Sequence, residues 1–188
     1  MLRILTIIVA LVAPVCFANV ALAAQSQEKP APVFDVEPIL RVPAVDYRKE
    51  WVQLGTFSVL SDKPAEGAKQ LHVVYTARQN VDAYLKTGAF PDGAVLVKDV
   101  FAAKTEQLTT GTVSYADKLA GRFIMVKDSA GKLGSSARFG DGWGWAFYEG
   151  DQTSQTVTAD YKTACLACHE PARNQGLLYL QGYPGLRK

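Results

Sequence analysis

The sequence predicts a mainly β protein, an antiparallel β-sheet with a few short helices. Three observations carry that reading. Five short runs rich in β-branched and aromatic residues stand at 51–60, 70–77, 93–101, 121–129 and 143–150. Glycine, proline or polar clusters separate them, the composition that turns between strands require. Helical patterning shows in only two short segments, one between the second and third strands and one near the end.

Taken in order, the chain opens with Arg3, an apolar stretch from Ile4 to Val15 and the small-residue pattern Ala21-Leu22-Ala23. This is the layout of a secretory signal peptide over residues 1–23. Pro14 and Asn19 interrupt the run before it reaches the length of a membrane span. Cys16 follows Pro14-Val15, whereas a lipoprotein signal wants small residues there. The expected location is outside the cytoplasmic membrane, in a periplasm, with no membrane association after signal removal. Residues 24–45 carry Pro30, Pro32, Pro38 and Pro43 and read as an extended lead-in. Residues 46–188 then form one domain, long enough for a hydrophobic core.

Within that domain the strands are "WVQLGTFSVL", "QLHVVYTA", "GAVLVKDVF", "GRFIMVKDS" and "WGWAFYEG". A helix fits after the second strand: Asn80 can cap it, Val81, Tyr84 and Leu85 make one apolar face, and Gly88 ends it. A last helix runs from near Asp160 to His169 and stops at Pro171. The formal net charge is +2, and removing residues 1–23 takes away one basic residue, Arg3, to leave +1. That balance argues against a nucleic-acid or anionic-lipid partner.

Cys16 leaves with the signal, so the mature chain keeps only Cys165 and Cys168, three apart and followed at once by His169. C-x-x-C-H is the attachment pattern of haem c. Two thiols add across the vinyl groups, and the histidine lies under the iron as axial ligand. A thioredoxin-like disulfide opens a helix early in a βαβ pattern, while this motif stands near the end of the chain. A structural zinc needs four ligands, and outside the motif His72 is the one further Cys or His of the mature chain. The reading is one covalently held haem c per chain, carried on the C-terminal helix.

Whether such a centre carries electrons or does chemistry turns on the sixth coordination position. The mature chain offers Met125 and His72 for it. Alternation puts Phe123 and Met125 on one strand face, which reads as an apolar face with a core methionine or as part of a distal pocket. His72, flanked by Leu71 and Val73, reads as a half-exposed strand residue. The iron is therefore expected to be five-coordinate and open to small ligands. Lys98 adds to this: its period-2 partners Ala94, Leu96 and Val100 are all apolar. It is either an edge lysine with a solvated head or a buried amine whose pKa falls, and a buried neutral amine is a nucleophile.

These residues resemble the cytochrome P-460 family and its relatives, the β-sheet cytochromes c′. The resemblance rests on "EWVQLGT" (50–56), "KTGAFPDGAVLVKD" (86–99), "MVKD" (125–128), "WAFY" (145–148), "CLACH" and "GYPGLR" (182–187). It implies a homodimeric periplasmic protein with one c-type haem, held by Cys165 and Cys168 and ligated by His169. It also implies that Lys98 makes an extra covalent bond to the haem, the mark of the P-460 branch. Members of that branch oxidise hydroxylamine, and a small periplasmic cytochrome c is the expected electron acceptor. Active members carry a distal glutamate as proton acceptor, and the matching position here is Phe123. The acids nearest in sequence, Asp99, Glu106 and Asp117, read as solvated surface groups. Two functions follow from the resemblance: an oxidoreductase acting on hydroxylamine or nitric oxide, and a protein that binds nitric oxide without turnover. An electron carrier stands third and requires Met125 or His72 on the iron. Trp143, Trp145 and Phe147 read as core or dimer packing.

Overall fold

The computed structural model describes residues 33–187, so the signal peptide expected at 1–23 lies outside the described residues. The fold is mainly β. Its strands are β1 (Phe34–Asp35), β2 (Val52–Leu60), β3 (Ala68–Thr76), β4 (Val95–Leu108), β5 (Gly111–Lys127), β6 (Phe139–Gly140), β7 (Trp143–Glu149) and β8 (Gln155–Thr156). Three short α-helices accompany them: α1 (Tyr47–Glu50), α2 (Arg78–Thr87) and α3 (Ala167–His169). Strands β2 to β7 make one antiparallel sheet in the order β2-β3-β4-β5-β7-β6, and β1 pairs with β8. Among the described residues no helix is long and apolar enough to cross a membrane.

Each run expected as a strand is one, but the hairpin in the middle is longer than its apolar pattern. β4 continues to Leu108 and β5 begins at Gly111, ten residues before the expected start at Gly121. The added stretch is rich in polar and charged residues, including exposed Lys104, Asp117 and Lys118. Direct β4–β5 pairing from Leu108↔Gly111 inward holds it in place of burial. α2 starts three residues earlier than expected, and Ala77, not Asn80, stands at its cap position. Asn80 is buried inside the first turn, and its amide donates to Thr76 Oγ1 at 2.9 Å. Gly88 does end the helix, in the left-handed conformation at φ 80°.

The last helix is also irregular. A π-type turn over Lys162–Leu166 leads into α3, and a 3-10 turn over Glu170–Gln175 follows. Pro171 does not stop the chain here as expected; it sits in the opening turn of the 3-10 segment, where its missing N–H costs little. Gly176 ends it at φ 68°.

Alternation along the strands splits the core in two. Leu96, Met125 and Trp145 belong to one apolar cluster, and Val97, Ile124 and Ala146 to another. The C-terminal segment covers the first, with Leu177, Leu178, Tyr183 and Leu186 packed on it. The N-terminal segment covers the second. Val36, Leu40 and Tyr47 lie there, and Tyr148 donates its hydroxyl hydrogen to the Leu40 carbonyl at 2.7 Å. From Val33 on, the proline-rich stretch expected as a lead-in is thus packed against the sheet, with Leu40 fully buried.

Candidate functional site

Cross-strand register lines up the site before any pocket is considered. Val74, Lys98, Phe123 and Phe147 lie side by side across β3, β4, β5 and β7. One row further, Leu96, Met125 and Trp145 do the same. These side chains form the floor of a cavity of about 620 Å³, and Cys165, Cys168 and His169 close it from the C-terminal segment. Six residues singled out from the sequence therefore meet in one place: Lys98, Phe123, Met125, Cys165, Cys168 and His169.

The orientation of His169 follows from one hydrogen bond. Its Nδ1 lies 2.7 Å from the Leu177 carbonyl. A carbonyl only accepts, so Nδ1 carries the hydrogen and the lone pair of the neutral ring is on Nε2. Burial pushes the ring's pKa down, the Leu177 bond opposes this, and Lys98 adds to the lowering. Trp145 fixes the ring from the side, edge-on at 75° with centroids 4.9 Å apart. Leu177 itself is in the left-handed region at φ 66° and is buried, an arrangement that costs about 1 kcal/mol and aims its carbonyl at the histidine.

The cysteines are both free thiols; Cys165 is buried and Cys168 exposed. Burial pushes the Cys165 thiol up to about 11. Tyr179 donates its hydroxyl hydrogen to the Cys168 carbonyl. Among the described residues no group of three or more Cys, His, Asp and Glu is placed to hold a metal by itself. The donor set therefore suits a cofactor that brings its own equatorial ligands and needs two thiols and one imidazole from the protein.

Lys98 is a cavity lysine, not an edge lysine with a solvated head. It sits on β4 between β3 and β5, inside the sheet. Its Nζ lies 4.2 Å from the centroid of the Phe123 ring and has no hydrogen bond or ion pair among the described residues. Burial lowers its pKa, partly offset by the sulfurs of Cys168 and Cys165. Phe123 in turn stacks on Phe147 with ring centroids 4.3 Å apart. Met125 is buried in the core cluster beside Leu96 and Trp145.

Among the described residues no aspartate or glutamate lines the cavity. Asp99 is fully buried on the opposite face, where Tyr47 donates to it at 2.8 Å and Arg48 at 2.6 Å. It is therefore not the solvated acid expected from the sequence, although alternation with Lys98 already pointed it away from the cavity. Glu106 accepts from Tyr115 at 2.7 Å on the distant part of the hairpin, and Asp117 is exposed. Sequence reasoning missed two groups in the site: the Leu177 carbonyl, whose signal is the glycine just before it, and Gln70, whose signal is its place two residues before His72 on one strand face.

The family model of cytochrome P460 matches residues 44–180, most of the chain and all of the elements that build the cavity floor. The chain belongs to the cytochrome P460 family. No curated protein matches it. Membership in the cytochrome P460 family implies haem as the cofactor and places the chain among haem oxidoreductase-like proteins that act on nitrogen compounds. The cavity fits that cofactor: an apolar floor, two free thiols three residues apart, and an imidazole with its tautomer set for ligation.

Proposed function

We propose that this protein is a periplasmic c-type haem oxidoreductase that oxidises small nitrogen species, hydroxylamine or nitric oxide. One observation carries the reading: an amine without a polar partner, Lys98, faces the same cavity as Cys165, Cys168 and His169. In this reading Cys165 and Cys168 would hold one haem covalently, and His169 Nε2 would ligate its iron. The haem iron, when bound, supplies a Lewis acid for the nitrogen atom and an electron sink that a small cytochrome c can empty. Lys98, whose ammonium form burial disfavours, would supply the amine for the extra haem bond that the resemblance implies, an N–C bond replacing an N–H and a C–H bond with two protons released and two electrons passed to the cytochrome acceptor. The stacked Phe123 and Phe147 exclude water from the ligand side. Met125, buried in the core cluster, would support the floor and not ligate the iron. The protein acts as a homodimer.

Digestion with trypsin after maturation with haem tests this. The expected haem-bearing product joins the peptide Thr163–Arg173 to the segment Thr87–Lys104, uncut after Lys98. Cleavage at Lys98, with haem on the C-terminal peptide alone, would remove the lysine bond and the oxidase chemistry built on it.

A cavity lining without aspartate or glutamate among the described residues favours a second reading, capture of nitric oxide without turnover beside the stacked Phe123 and Phe147. Steady, oxidant-dependent loss of hydroxylamine belongs to the first reading and excludes the second.

A further inference from the structure

One wall of the cavity is polar. Gln70 and His72 reach it from β3, beside the apolar Phe57, Val59 and Val100. Their position follows from register. His72 pairs with Val100, one row beyond Lys98 along the cavity face, and Gln70 pairs with Ala102, a row further. His169 abuts Trp145, on β7 and in the row on the other side of Lys98. Lys98 and Phe123 thus lie between the two histidines. A small ligand held on the side of the cavity away from His169 would face the His72 wall.

The Gln70 amide oxygen lies 3.1 Å from His72 Nε2. An amide oxygen only accepts, so Nε2 carries the hydrogen and Nδ1 keeps the lone pair. Nδ1 has no partner among the described residues, yet no polar side-chain atom is sealed off without one, so Nδ1 remains accessible. Burial, helped by Lys98, pushes the His72 pKa down to about 4, which leaves the ring neutral at neutral pH. The other titratable groups lining the cavity are Lys98, Cys165, Cys168, His169, Tyr179 and Tyr183, with no carboxylate to restore the charge.

We propose that His72 Nδ1 is the hydrogen-bond acceptor that selects nitrogen ligands bearing N–H or O–H, such as hydroxylamine, over hydrogen-free ones such as nitric oxide. Gln70 is a positioning residue that sets the His72 tautomer. A site built to pair with such a hydrogen is left unpaired by a ligand lacking it, and that difference is the discrimination. Phe123 itself offers only a ring face as an acceptor. The proposal rests on the reading that nitrogen ligands bind a haem in this cavity.

Equilibrium binding of hydroxylamine and of nitric oxide to the haem-loaded protein, followed by absorption without an electron acceptor, tests it. His72→Phe is expected to weaken hydroxylamine about tenfold, the loss of one good hydrogen bond, and nitric oxide by less than about twofold. His72→Gln, which keeps an acceptor oxygen, and Gln70→Leu, which frees the tautomer, are expected to show smaller losses for hydroxylamine alone. These two variants carry the test if the phenylalanine variant misfolds. Equal losses for both ligands, or none, would overturn the role of His72. So would a six-coordinate low-spin spectrum of the wild type that His72→Phe abolishes, because His72 would then be an iron ligand. Wild-type protein that binds neither ligand refutes the underlying haem-ligand reading as well, and the two failures are thereby distinct.

Discussion

Lys98 and Asp99 are neighbours on β4, and a single step of the pleat sends them to opposite faces with opposite consequences. Lys98 faces the cavity without a polar partner among the described residues, and burial lowers its pKa by disfavouring the ammonium form. Asp99 is fully buried but fully paired: Arg48 and Tyr47 donate to it, and Arg122 approaches to 3.6 Å. Burial and then the bond to Asp99 push the Tyr47 phenol up to about 12. Removing one partner of such a cluster leaves the others buried and uncompensated. Asp99→Ala is expected to cost about 3–5 kcal/mol in urea unfolding at neutral pH. A cost under about 1 kcal/mol, the size typical of an exposed pair, would show that the arginines find water instead. The sequence made the lysine legible, since its apolar period-2 partners are local. It did not reveal that Asp99 is paired, because Tyr47 and Arg48 are about fifty positions away.

At the scale of elements, the C-terminal segment matters most, since it carries the histidine and both cysteines and has little regular structure of its own. It docks by close approach. A Cβ at Gly55 on β2 would run into the Gly182 carbonyl, and one at Gly182 would run into the Phe57 ring. Gly55→Ala is expected to destabilise the protein by about 1–3 kcal/mol through overpacking. Hydrogen exchange should show the loss first between Leu180 and Leu186, while the β4–β5 hairpin keeps its protection. Uniform loss of protection would mean that the segment and the sheet open together. Element positions were readable to within a few residues where β-branched and aromatic residues concentrate, as in β2, β3 and β7. The first half of β5 was not, because its polar residues are held by pairing with β4 and not by burial. The π-type turn before the histidine left no signal either, since its residues have ordinary helical composition.

The molecule as a whole is one sheet with a different segment on each face. The cavity face is closed by residues that follow the sheet in sequence, and the other face by residues that precede it. Stability and chemistry are therefore separable. Leu40 is fully buried on the face away from the cavity. Leu40→Ala is expected to cost about 2–5 kcal/mol by denaturant melting while leaving the absorption spectrum of the haem-loaded folded protein unchanged. A changed spectrum under native conditions would show that the two faces communicate through the sheet.

Local pattern was enough for much of this protein: the β class, the spacing of the strands, the cysteine pair with its histidine, and the lysine on an apolar face. Each depends only on residues close in sequence, because strand alternation and the C-x-x-C-H spacing act over a few positions. Register and face-to-face docking were decided in three dimensions. Only the pairing of β3 with β4 and of β4 with β5 puts His72 beyond Lys98 and Phe123 beside it. Only the fold of the C-terminal segment brings the Leu177 carbonyl to His169. The strand contacts join distant parts of the chain, and no local period encodes them, because the same alternation is compatible with several registers until both faces of the sheet are buried; the His169–Leu177 bond spans eight residues of irregular backbone that has no period.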